Sequence, residues 1–131
     1  MAYVPMTAGG GSMSETTLWT NADTTTGFAA QTVNLSDNIS NYKFIAINIK
    51  VTTSTDEFYT YYFQASDVPN FLSNTRPLLG DAHSNNYFYY RSLTYSSDTA
   101  LAIGSCQRNT SSSASSVNNA GVIPVTIKGL K

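Results

Sequence analysis

A chain of 131 residues with a net charge of −1 and 11% charged residues is one domain's worth of sequence with a weakly charged surface. It has no basic patch for a nucleic-acid backbone, no polybasic run for anionic lipid, and no apolar run near the ~18 residues of a membrane span, so nucleic acid and membrane insertion are not expected. Serine, threonine and asparagine supply about a third of the residues, as they also do in disordered linkers, but 12% aromatics with nine tyrosines point to a folded chain.

Residues 1–14 hold Gly9-Gly10-Gly11-Ser12 and no hydrophobic period, which reads as a flexible arm. Tyr3, Val4, Pro5 and Met6 are its candidate anchoring residues. A β-domain is expected from 15 to 131. Thr16–Asn21 reads as a first strand, and its Trp19 is either a core plug, the favoured reading, or a platform for a sugar. Residues 28–35 read as a second strand, followed by a polar turn or one-turn helix at 36–41. In Tyr42–Val51 the residues Ile45, Ile47, Ile49 and Val51 share one face and Ala46, Asn48 and Lys50 the other, the period of a central core strand.

Phe58–Gln64 is a strand aromatic on both faces. Residues 65–86, broken by Pro69, Pro77 and Gly80, read as a long irregular connection with a short helix near 66–72. Tyr87–Tyr95 is a strand with Tyr87, Tyr89, Arg91, Leu93 and Tyr95 on one side. A further strand follows at 100–106, where Cys106 reads as a small buried hydrophobe. Residues 110–119 read as a flexible loop, and 122–128 as a last strand whose Pro124 belongs at a sheet edge or bulge. Seven to eight strands separated by turns describe an all-β, antiparallel β-sandwich, jelly-roll-like.

Catalytic signatures are sparse. The one histidine, His83, stands two residues from Asp81, and such a pair supplies too few ligands for a zinc site unless three copies meet on an axis. No Gly-x-Ser-x-Gly elbow is present, and the adjacent Asp56 and Glu57 would face opposite ways on a strand. Gly9–Ser12 lacks the lysine and helix of a phosphate loop, so no cofactor is implied. The expectation is a protein that binds and does not catalyse, with a small glycan-active enzyme as the alternative. Tyr61, Arg76, His83, Tyr87, Tyr89, Arg91 and Arg108 are the candidate binding residues, for tyrosine and arginine serve both subunit interfaces and sugar sites. Plain cross-strand packing is the bland alternative for about half of the tyrosines.

Leu18-Trp19-Thr20-Asn21, then residues 28–35 and 42–51, and the closing run from Gly121 to Lys131, together resemble the β-rich C-terminal tip domains of tailed-phage fibre and receptor-binding proteins, from phages and prophages of gut and Gram-positive bacteria. That resemblance implies a homotrimeric virion protein at a tail fibre or tip, binding a host-surface polysaccharide. It would be made in the host cytoplasm without a signal peptide. In longer relatives such a domain follows a shaft, where here the Gly-rich stretch of residues 1–14 is read as an arm. The alternative is a head fibre or capsid decoration protein, held to other virion proteins through residues 1–14.

Overall fold

Three isoleucines and a valine at a spacing of two need a strand with one enclosed face, and Ile45, Ile47, Ile49 and Val51 are all fully buried. The computed structural model describes residues 13–74, 76–83, 87–110, 113–117 and 119–131. Its strands are β1 (Glu15–Thr20), β2 (Gln31–Asn34), β3 (Phe44–Thr52), β4 (Phe58–Gln64), β5 (Arg76–His83), β6 (Tyr87–Ser97), β7 (Ala100–Ile103), β8 (Gln107–Thr110), β9 (Ser113–Val117) and β10 (Gly121–Leu130). One-turn 3-10 helices lie at Ile39–Asn41 and Ala65–Asp67, the second running into the single-turn helix α1 (Val68–Phe71).

The protein is an all-β sandwich of two antiparallel sheets. One has the order β1-β10-β3-β4, and the other runs β2-β7-β6-β8-β9 with β5 also paired to β6. β7 and β8 follow each other along one edge of β6, with Leu93 opposite Ile103 and Tyr90 opposite Gln107. β2 lies beside β7 and β9 beside β8, so among the described residues ten strand segments fill eight lanes, four in each sheet. The passage from β1 to β2 to β3, with β10 inserted between β1 and β3, is jelly-roll-like. The sequence neighbours β3 and β4, β5 and β6, and β6 and β7 pair antiparallel with each other instead, the last two pairs with a register shift.

Two stretches read as irregular from the sequence are strands. Residues 65–86 contain β5, because Pro77 falls in the register shift between Arg76 and Leu79, where no ladder bond is asked of it. Residues 110–119 contain β9, which has no apolar alternation and is held by hairpin pairing with β8. Pro124 sits at a bulge, as expected, but in a strand with neighbours on both sides and not at a sheet edge. β1 stops pairing at Thr126, and Asn21 takes over, its backbone N–H donating to Val125 O and its Nδ2 to Pro124 O, both at 2.9 Å.

The stripe Tyr89, Arg91, Leu93 on β6 points into the sandwich, not toward a ligand. Tyr89 is buried and Arg91 is 0% exposed, which overturns the expectation that they form a binding surface. Arg91 Nε donates to Val122 O at 2.7 Å and Gly121 O at 3.2 Å. Its Nη1 reaches Gly104 O at 2.9 Å, and Nη2 reaches Gly121 O at 3.0 Å and Asn119 O at 3.1 Å. The guanidinium also lies 5.4 Å from the Phe28 ring centroid. Burial draws the Arg91 pKa down to about 10, still charged at neutral pH. Beside it Cys106 is wholly buried, and burial pushes its thiol up, as suits the expected packing role. A Cβ on Gly121 would press on the Tyr89 ring and Cys106 Sγ, so only glycine lets this carbonyl come so close.

Trp19 meets Phe28 edge to face at 6.0 Å and packs against the core, the favoured reading. Tyr42 is pinned from outside by Asp37, whose Oδ2 accepts from the Tyr42 hydroxyl at 2.9 Å. Asp37 Oδ1 accepts from Asn38 N and Asn41 Nδ2, both at 2.8 Å. These bonds, that from the Asn38 N–H foremost, hold the Asp37 carboxyl below its ordinary value.

Arg91→Lys keeps the charge but loses the planar fork, leaving buried carbonyls unpaired. It is expected to lower unfolding free energy by about 2–4 kcal/mol in a urea titration, and an unmoved midpoint would contradict the bracing role. Because the folded pKa of Asp37 is depressed, its contribution is full above the ordinary value of 3.8 and is lost as pH falls through the folded value. Asp37→Asn should therefore flatten the fall of thermal midpoint with pH in that acid window.

Candidate functional site

Register on the first sheet builds a surface from its outward residues. Across one row, Tyr62 on β4 lies opposite Ala46 on β3, which lies opposite Lys128 on β10 and then Thr17 on β1. In the next row Thr60, Asn48, Thr126 and Thr20 stand in line. A methyl group between two long side chains leaves a hollow of about 450 Å³ over Ala46, Asn48 and Thr126. Tyr62 walls one side and the Lys128–Glu15 ion pair, 2.7 Å, the other.

Asn48 Nδ2 donates to Thr60 Oγ1 at 3.0 Å and Tyr59 O at 3.2 Å, fixing the carboxamide and leaving its oxygen as an acceptor. Lys50, on the same face of β3, is instead folded away, with Nζ donating to Thr53 O at 3.2 Å. The hollow thus offers an aromatic face, a fixed amide, two threonine hydroxyls and an ion pair of no net charge. Such a set suits a neutral ligand that carries both C–H faces and hydroxyl groups, and its volume is in the range of small-molecule sites, about 300–1,000 Å³.

A second hollow of about 510 Å³ lies on the other side of Tyr62, between the end of β4 and α1, with Phe63, Gln64, Asp67 and Phe71 in its walls. Tyr62, 67% exposed, is the ridge between the two.

The residues singled out from the sequence do not assemble into this site. Tyr89 and Arg91 are interior, and Tyr61 packs partly buried against the core, opposite Ile47. Arg108 is half-buried on β8, opposite Tyr89 and Ser116. Arg76, His83 and Tyr87 are placed by backbone pairing alone, His83 opposite Tyr87 and Arg76 opposite Leu93. Tyr3, Val4, Pro5 and Met6 lie outside the described residues. Of the hollow over Ala46, the sequence marks Ala46 and Asn48 by their phase on β3, and Tyr62 only as part of the aromatic run Phe58–Gln64. Glu15, Thr60, Thr126 and Lys128 join through pairings that span up to 113 positions of chain.

No protein-family model matches the chain, and no curated protein sequence matches it.

Side chains serving a surface rather than the fold should be replaceable at little cost in stability. Glu15→Gln breaks an exposed ion pair and is expected to shift unfolding free energy by less than about 0.5 kcal/mol. Tyr62→Ala, on an exposed ring, should cost less than about 1 kcal/mol in the same titration, and a larger loss would make Tyr62 a packing residue.

Proposed function

We propose that the chain is a non-catalytic attachment module of a phage virion, a fibre-tip or receptor-binding domain that engages a host-surface glycan through the outward face of β1, β10, β3 and β4. The observation that carries this reading is Tyr62, an aromatic ring 67% exposed beside a hollow floored by Ala46, Asn48 and Thr126. Exposing a tyrosine to this extent leaves its apolar face in water, a cost that stacking on the C–H face of a sugar would recover. Asn48, Thr60, Thr126 and the Lys128–Glu15 pair supply hydroxyl-reading donors and acceptors around it. The likeness of residues 18–21, 28–35, 42–51 and 121–131 to phage tip domains supplies the virion setting. Phe88, stacked on Tyr90 at 5.9 Å, shows that the other sheet exposes aromatic surface too.

Binding of the purified chain to host cells and to their extracted polysaccharide tests the reading. Asn48→Ala and Tyr62→Ala are each expected to weaken binding about tenfold or more, with folding intact by circular dichroism. A wild-type chain that binds neither cells nor polysaccharide would remove the attachment role. Microscopy of labelled particles separates tail from head: label confined to the capsid would favour the decoration role.

A further inference from the structure

We infer that two copies of this chain pair edge to edge through β4, antiparallel about Tyr61, joining their first sheets into one eight-stranded sheet. β4 is an outermost strand, and among the described residues its only strand partner is β3. Edge strands of soluble proteins are ordinarily blunted by charge, proline, a bulge or shortness. Phe58-Tyr59-Thr60-Tyr61-Tyr62-Phe63-Gln64 has seven residues, no charge, no proline and an unbroken register with β3. Nothing in its own sequence resists pairing with a copy.

The strand is also complementary to itself. Centring the pair on Tyr61, its middle residue, gives the longest overlap and sets Phe58 opposite the partner's Gln64, Tyr59 opposite the partner's Phe63 and Thr60 opposite the partner's Tyr62. The exposed Phe58 (51%) and Tyr59 (46%) stand at one end of β4, and the hollow walled by Phe63, Gln64 and Phe71 opens at the other. A twofold axis brings each projecting end to the partner's hollow, so the contact is isologous and closes at two copies. Phe58, Tyr59, Tyr62 and Phe71 are each about half exposed or more. With the Tyr62 ring left on the outward face, Phe58, Tyr59 and Phe71 at about 100 Å² apiece supply roughly 600 Å² over two copies, and the backbone edges of the seven paired residues a side supply the remainder of the ~1,000 Å² a specific interface needs. The axis stands perpendicular to the joined sheet, so both hollows over Ala46 come to the same side.

Sedimentation equilibrium at micromolar concentrations is expected to give twice the chain mass. Tyr59→Lys, outside the hollow over Ala46, places a charge at the edge and should shift the chain to monomer, raising the dimer dissociation constant at least tenfold with an unchanged circular dichroism spectrum. As a check on register, Thr60→Cys and Tyr62→Cys chains mixed under oxidising conditions should cross-link to each other, while neither cross-links alone. A wild-type monomer, a trimer such as the phage resemblance implies, an open polymer, or a dimer untouched by Tyr59→Lys would each overturn the inference. A dimer in which only the cross-link fails would overturn the register centred on Tyr61.

Discussion

The guanidinium of Arg91 is the constraint around which the sandwich closes. It projects from β6 in one sheet and gathers the carbonyls of Asn119, Gly121 and Val122, at the entry to β10 in the other, together with Gly104 O between β7 and β8. Taking a cation out of water is expensive, and no carboxylate among the described residues offsets it. Four peptide carbonyls do so instead, and that of Asn119 also accepts from the Phe28 N–H at 2.9 Å, tying the start of β2's approach to the same point. Val122 shows how closely the backbone is fitted to this purpose. Its φ of 46° is strained for a β-branched residue, costing on the order of 1–3 kcal/mol, and its carbonyl accepts the shortest of the five bonds.

This knot explains why β10 can serve as the central partner of β1 and β3 despite Pro124. The strand enters the sheet through the Arg91 contacts, passes the proline at a bulge, and regains regular pairing from Thr126 onward. From there Ile127 pairs with Ile47 inward and Lys128 stands opposite Ala46 outward. The phase that buries the isoleucines is the same phase that sets Ala46, Asn48 and Thr126 in the floor of the outer hollow. A one-residue slip would exchange the two faces, so the candidate site inherits its definition from the core beneath it.

How much of this is legible in the sequence follows from which signals are local. The alternation in Phe44–Thr52 and the aromatic run Phe58–Gln64 gave strands in the right places, because burial on one face writes a period of two. β5 and β9 left no such mark: Pro77 and Gly80 look like breaks, and Ser113–Val117 looks like a linker, because both strands are held by hairpin pairing. The role of Arg91 is hidden for a related reason. An arginine among tyrosines looks like a ligand site until its face of β6 is known to be the inner one, and carbonyls from residues 104, 119, 121 and 122 cannot be foreseen as its partners from local pattern. The outer hollow is non-local in the same way.

The two sheets use their tyrosines differently, and the difference is set by position. Tyr89 is enclosed on β6, which has neighbours along both edges, so its ring has become core. Tyr59 and Tyr62 lie on β4, which among the described residues has a neighbour along one edge alone. Selection for stability by itself would favour smaller or charged side chains at such an edge, since exposed aromatics there add aggregation risk and little folding energy. Tyr62 serves the proposed glycan face with its ring and the proposed twofold contact with its backbone, and the two uses are compatible only because a paired edge leaves the outward face of a strand open. An edge that pairs and a face that binds are separate surfaces of one strand, and β4 presents both.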